Sequence, residues 1–141
     1  FKKTAGATKV KAILGVGDLE TLRNVAKASL VCMMAGADFI KTSTGKENIN
    51  ANLNNSLVML RMIRDFYNKT GKKIGFKPAG GISTSKSVLE FLILVAEELG
   101  FEWINPKLLR IGASSLLIDI ERQLYHYTSG RYANKEKLAL G

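Results

Sequence analysis

The sequence predicts an α/β fold built on parallel strands. Short apolar runs alternate with segments of helical periodicity along the whole chain, and each run opens into a loop rich in Gly, Ser, Thr or Asn before the next helical segment. Alternation of this kind requires crossover connections, and therefore parallel pairing. The runs are also apolar on both faces, as strands packed under helices must be.

Lys9 to Val16 reads as the first strand, ending in Gly15-Val16-Gly17. Asp18 can cap the helix that follows, with Leu19, Leu22, Val25, Ala26, Leu30 and Met33 on one face and Gly36 at its end. Ala37 to Lys41 is the second strand. Asn54 or Asn55 then caps a helix that buries Leu57, Leu60, Ile63 and Phe66 and closes at Gly71. Lys73 to Lys77 is the third strand, with Gly75 and Lys77 on one face and Ile74 and Phe76 on the other. Ser83 or Thr84 starts a helix carrying Val88, Phe91, Leu92, Val95 and Leu99, which stops before Gly100. Leu108 to Ala113 is the fourth strand, and Ser114 and Ser115 open the last helix toward Tyr127. The polar tail after Thr128 is expected to leave the core. These four βα units fill residues 1–141 as a single domain, without linker, repeat or low-complexity tract.

A chain of 141 residues with 46% hydrophobic and 23% charged residues suits one globular domain. It begins Phe1-Lys2-Lys3 without an initiator Met, so it reads as a piece of a longer polypeptide. The single cysteine, Cys32, has no disulfide partner within the chain; as a small buried hydrophobe it points to a reducing, cytoplasmic compartment. No apolar run approaches the roughly 20 residues of a membrane span. The net charge of +9 is scattered among acids and forms neither a basic helix nor an aromatic-basic sheet face, so no nucleic-acid partner is expected. A positive field suits an anionic small substrate equally well.

The chemistry is carried by Lys41 and Lys77. Each closes a buried run, in Phe39-Ile40-Lys41-Thr42-Ser43-Thr44-Gly45-Lys46 and in Gly75-Phe76-Lys77-Pro78-Ala79-Gly80-Gly81-Ile82. An ammonium group in a low-dielectric interior is costly, and losing its proton relieves the cost. If the two strands are neighbours, about 5 Å apart, each cation also lowers the pKa of the other, which is one way to make a lysine nucleophilic at neutral pH. One strand-end lysine alone would more often mark where a strand meets water. Two such runs, each opening into a small-residue loop and a helix, have the layout of a site at the carboxyl ends of parallel strands.

The loops at those ends suit an anion. Gly80 and Gly81 after the third strand, and Gly112, Ser114 and Ser115 after the fourth, expose backbone amides beside helix starts, where the dipole favours negative charge. The same residues could serve only as turns and caps. In an eight-stranded βα barrel the phosphate is held by the loops after strands seven and eight, which the third and fourth strands here would be if the chain is the second half of a barrel. Lys46 could add charge at the same end or simply be exposed. His126 and Cys32 stand alone, so no metal site is expected, and no cofactor.

From about Lys9 to Tyr132 the sequence resembles deoxyribose-phosphate aldolase. The resemblance rests on the two lysine motifs and on Arg110-Ile111-Gly112-Ala113-Ser114-Ser115. It implies a (β/α)8 TIM barrel of which this chain supplies the last four βα units, a half-barrel. It implies reversible cleavage of 2-deoxy-D-ribose 5-phosphate to D-glyceraldehyde 3-phosphate and acetaldehyde, with Lys41 as the Schiff-base lysine and Lys77 as the lysine that tunes it and assists proton transfer. Gly80, Gly81, Gly112, Ser114 and Ser115, with Lys46 near them, would hold the phosphate. The family's proton-relay aspartate lies on an earlier strand and has no counterpart here, and the tyrosine that ends bacterial members is replaced by Leu138-Ala139-Leu140-Gly141. Half a barrel leaves sheet edges that a preceding half or a homo-oligomer must cover. Two alternatives stay open: a non-catalytic half-barrel module that keeps the phosphate site, and a related Schiff-base aldolase for another phosphorylated aldehyde.

Overall fold

In the computed structural model, which describes residues 2–134 together with 136 and 138, the alternation becomes a three-stranded parallel sheet in the order β1-β2-β3. Strand β1 is Lys11–Ile13, β2 is Phe39–Lys41 and β3 is Gly75–Lys77; the helices are α1 Lys2–Ala5, α2 Leu22–Met34, α3 Leu53–Thr70, α4 Ser85–Leu99 and α5 Leu116–Ser129. The regular strands are shorter than the apolar runs, but pairing continues beyond them. Leu14 N–H donates to Lys41 O at 2.9 Å and Val16 N–H to Thr42 O at 3.0 Å.

One face of β2 and β3 packs against the helices. Ile40, Ile74 and Phe76 are wholly buried, in one core with Met59, Leu60 and Ile63 of α3 and Val95 of α4. Each such side chain stabilises the fold by about 1.5–3 kcal/mol relative to exposure. On the opposite face Lys11, Ile13 and Arg110 are exposed, and the Arg110 guanidinium lies 4.8 Å from the centre of the Phe39 ring.

The fourth expected strand, Leu108 to Ala113, is present only as two isolated parallel bridges, Phe76 with Leu109 and Ala79 with Gly112. Proline explains the break. Phe76 N–H donates to Leu108 O and Arg110 N–H to Phe76 O, at 2.8 and 3.1 Å; the next rung needs the N–H that Pro78 lacks. Pairing resumes where Gly112 N–H donates to Pro78 O at 2.8 Å.

Two helix starts differ from expectation. Thr21, not Asp18, caps α2, accepting from Asn24 N–H at 3.2 Å. Residues 16–19 form a turn and Glu20 adopts φ +60°, so the chain cannot enter a helix at Asp18. The buried face of α2 is accordingly Val25, Ser29 and Met33, while Leu22 and Leu30 are 47% and 40% exposed. Ser29 tolerates burial because its hydroxyl donates to Val25 O at 2.7 Å. Asn52, not Asn54 or Asn55, caps α3, accepting from Asn55 N–H at 2.8 Å. Thr84 caps α4 and Gly71 closes α3 in the left-handed conformation, both as the sequence suggests.

Three features had no clear sequence signal. The short helix α1 is fastened by Lys2, whose ammonium sits 2.7 Å from the Asp38 carboxylate; the same carboxylate accepts from Val10 N–H at 2.9 Å. A 3-10 turn, Phe101–Trp103, drops Trp103 into the core, where its indole N–H donates to Ile74 O at 3.0 Å. The tail from Ser129 to Tyr132 is exposed, as expected, but it folds back on α5: Tyr132 stacks on His126 at 4.2 Å between ring centres and Ala133 is buried. Residues 139–141, where the chain departs from the tyrosine ending, lie outside the described residues.

Gly75 permits the close approach of β2 and β3, since a Cβ there would overlap the buried Phe39 ring. Gly75→Ala should therefore lower stability by about 1–3 kcal/mol, read as a lower urea midpoint. Adding Phe39→Leu should recover part of the loss.

Candidate active site

Lys41 and Lys77 occupy the last positions of β2 and β3 and are direct register partners. Phe39, Lys41, Gly75 and Lys77 thus share one face of the sheet, with the core on the other. Burial holds the Lys77 ammonium below the ordinary lysine pKa, and repulsion from Lys11, Lys41 and Arg110 adds to the shift. Gly112 makes room for this side chain: a Cβ at residue 112 would lie 3.0 Å from Lys77 Cε and 2.5 Å from Ala79 Cβ.

Beyond the lysines the chain makes a knot that sequence reading missed. The carbonyl of Ala79 accepts from Ser43 Oγ at 2.6 Å, from Thr42 Oγ1 at 3.2 Å and from Ala51 N–H at 3.2 Å. In return Ala79 N–H donates to Thr42 Oγ1 at 3.0 Å. Thr42 and Ser43 are wholly buried, so these bonds are made in a low dielectric, where losing one strands a polar group. They tie the loop after β2 to the loop after β3. The signal was in the sequence, as two hydroxyl residues following a strand, but it read only as small residues in a turn.

The loops surround a cleft of about 480 Å³ at the carboxyl ends of the strands. Lys41, Lys46, Gly80, Gly81, Gly112, Ser114 and Ser115 all line it, joined by Thr44, Gly45, Ala79, Ile82, Ser83 and Ala113. Lys77 is not among the lining residues and sits against the wall at Gly112. Gly81, Ser83, Ser114 and Ser115 are exposed at the heads of α4 and α5, where helix dipoles favour an anion. On the third side, Thr44 N–H donates to both oxygens of Glu47, at 2.9 and 3.0 Å, and the Thr44 hydroxyl to one of them at 2.9 Å. These bonds hold the Glu47 carboxyl below its usual pKa. An anion entering the cleft thus finds those two Thr44 donors engaged, and the heads of α4 and α5 exposed.

A family model described as DeoC/LacD family aldolase matches residues 3–117. The chain belongs to that family. It is 64% identical over 133 residues to the deoxyribose-phosphate aldolase of Mus musculus, and 62% identical over 133 residues to that of Homo sapiens; each match covers 94% of this chain and 42% of the relative. The chain therefore spans less than half the length of these curated relatives. Among solved structures, the apo form of a candidate deoxyribose-phosphate aldolase from Toxoplasma gondii ME49 superposes with a TM-score of 0.76 at 22% identity, over 92% of this chain and 49% of that one. At that identity the likeness is one of fold.

The lysine pair makes a prediction that is independent of catalysis. A lysine with a depressed pKa weakens the fold while it is charged, and stability rises with pH between the folded pKa and the unfolded value of about 10.5, where only the unfolded chain holds the proton. Lys77→Met should raise the thermal midpoint at pH 7 by about 2–5 °C, with the gain shrinking toward pH 10.5. An equal gain at all pH values would contradict the shift.

Proposed function

We propose that this chain carries the reacting lysine and the phosphate cradle of a deoxyribose-phosphate aldolase, which reversibly cleaves 2-deoxy-D-ribose 5-phosphate to D-glyceraldehyde 3-phosphate and acetaldehyde. The observation that carries the reading is the register pairing of Lys77 with Lys41, which lines a cleft that also takes in the two helix starts. The relatives named deoxyribose-phosphate aldolase support it.

In this reading residues 1–141 form one domain, the last four βα units of a (β/α)8 barrel, in a cytoplasmic protein where the Cys32 thiol stays reduced. The face bearing Lys11, Lys41, Lys77 and Arg110 looks into the barrel, and a preceding half or another copy completes it. The Lys41 amine attacks the C1 aldehyde of the open-chain sugar, and loss of water gives an iminium. The iminium draws the electrons of the C2–C3 bond as the C3 hydroxyl gives up its proton, releasing glyceraldehyde 3-phosphate and leaving an enamine. Protonation of the enamine at C2 and hydrolysis free acetaldehyde and the amine. Lys77, whose pKa is lowered by burial and by the neighbouring cations, is suited to carry the proton. Gly80, Gly81, Gly112, Ser114, Ser115 and Lys46 hold the phosphate, which orients C1 toward Lys41.

Kinetics of the full-length protein test these roles. Lys41→Leu should lower kcat on deoxyribose 5-phosphate by roughly 10³-fold or more, since the covalent route is lost. Lys77→Leu should retain slow turnover. Gly81 adopts φ +77° with open space around its missing Cβ, so Gly81→Ala should act through the backbone and raise KM by roughly tenfold with little change in kcat. Near-normal turnover by Lys41→Leu would show that Lys41 is not the reacting amine, and absence of turnover by the unaltered protein would return the chain to a non-catalytic phosphate-binding module. Good turnover of another phosphorylated aldehyde, with none of deoxyribose 5-phosphate, would favour a related aldolase.

A further inference from the structure

We infer that Asp119 is a positioning residue that sets the spacing of the two phosphate-holding loops by fastening the first residue of α4 to the first turn of α5. The inference rests on the phosphate site proposed above and assigns a role to a residue outside it. Asp119 Oδ2 accepts from Ser85 N–H at 2.7 Å and from Ser85 Oγ at 2.5 Å. Ser85 begins α4 directly after the loop holding Gly80 and Gly81, and Asp119 stands in the first turn of α5 directly after the loop holding Ser114 and Ser115. The carboxylate does not line the 480 Å³ cleft. It lines a smaller pocket behind it, about 200 Å³, that shares Ser83 and Ser115 with the cleft and is closed by Ile118 and Arg122.

Packing leaves this task to the polar contact. Leu116 is the buried residue of α5 among those described, while Leu117 and Leu124 are each 61% exposed. Few apolar contacts therefore fix where the head of α5 lies. A short charge-assisted pair of hydrogen bonds does so with direction, and a carboxylate lying at the heads of two helices is favoured by both dipoles. The Ser85 hydroxyl and N–H, with smaller contributions from Gln123 and Arg122, hold the Asp119 carboxyl below its usual pKa, so the clamp is charged at neutral pH. An anion gripped by amides of both loops needs each set within about 2.7–3.2 Å, and a small drift of one loop loosens the grip while leaving the lysines where they are.

The test compares kcat/KM for 2-deoxyribose 5-phosphate with that for unphosphorylated 2-deoxyribose, and measures inhibition by inorganic phosphate, in the full-length protein. Asp119→Ala should lower the ratio of the two kcat/KM values by about tenfold or more, through KM, and weaken phosphate inhibition by a similar factor. Asp119→Asn, which keeps an acceptor oxygen, should lose less, and Ser85→Ala, which keeps the N–H, about threefold. The double variant Ser85→Ala/Asp119→Ala should be no worse than Asp119→Ala alone, because both act through one contact. Damage to the fold at large would depress both substrates together and leave the ratio intact. If Asp119→Ala does not fold, Asp119→Asn and Ser85→Ala carry the comparison. An unchanged ratio and unchanged phosphate inhibition in these folded variants would overturn the clamp alone. An unaltered protein that neither prefers the phosphorylated substrate nor responds to phosphate would remove the phosphate site, and the clamp with it.

Discussion

The cleft depends on the register between β2 and β3. Because the side-chain period of a strand is two, a slip of one residue would send either lysine into the helix-covered core and bring an isoleucine or phenylalanine to the mouth. The correct register is held from both ends. Below, Gly75 leaves space for the Phe39 ring, and the Asp38 carboxylate anchors the start of β2 to Val10 and Lys2. Above, Thr42 and Ser43 converge on the single carbonyl of Ala79. The amines themselves repel and would not choose to be neighbours. The surrounding hydrogen bonds and packing keep them so.

Pro78 separates the two tasks of the third βα unit. It interrupts regular pairing with the fourth segment, which resumes only at the bridge of Ala79 with Gly112, and the chain then turns at Gly80 and Gly81 with positive φ at both. The loop can then approach an anion with backbone rather than side chain. The sheet upstream stays rigid enough to hold the lysines, and the loop downstream is shaped by its tie to Thr42 and by the helix it enters. The two faces of the sheet divide in the same way, one closed by α2, α3 and α4 and the other carrying the cations.

Much of this was legible from residue order. The apolar runs ending in lysine located β2 and β3, because a charge is too costly inside a buried run and so marks its end. The glycines after them marked the loops that line the cleft. What sequence reading missed were contacts between distant segments. Asp18 looked like a helix cap because nothing local shows that Glu20 will turn left-handed, and the buried face of α2 shifts accordingly to Val25, Ser29 and Met33. Thr42 and Ser43 read as turn residues until the fold sets Ala79 beside them. The fourth strand had the right composition, and its ladder fails for want of one N–H on a neighbouring segment. The tail leaves the core as its polarity suggests, but that Tyr132 stacks on the His126 ring had no local signal.

The central claim is that Lys41, and not its neighbour, forms the covalent bond. The direct measurement is to treat the full-length protein with acetaldehyde and borohydride, digest it, and locate the reduced adduct by peptide mass. The account predicts an ethyl group on Lys41 with Lys77 unmodified. An adduct on Lys77 with Lys41 intact would reverse the two roles, and no adduct on either lysine would contradict Schiff-base chemistry at this site.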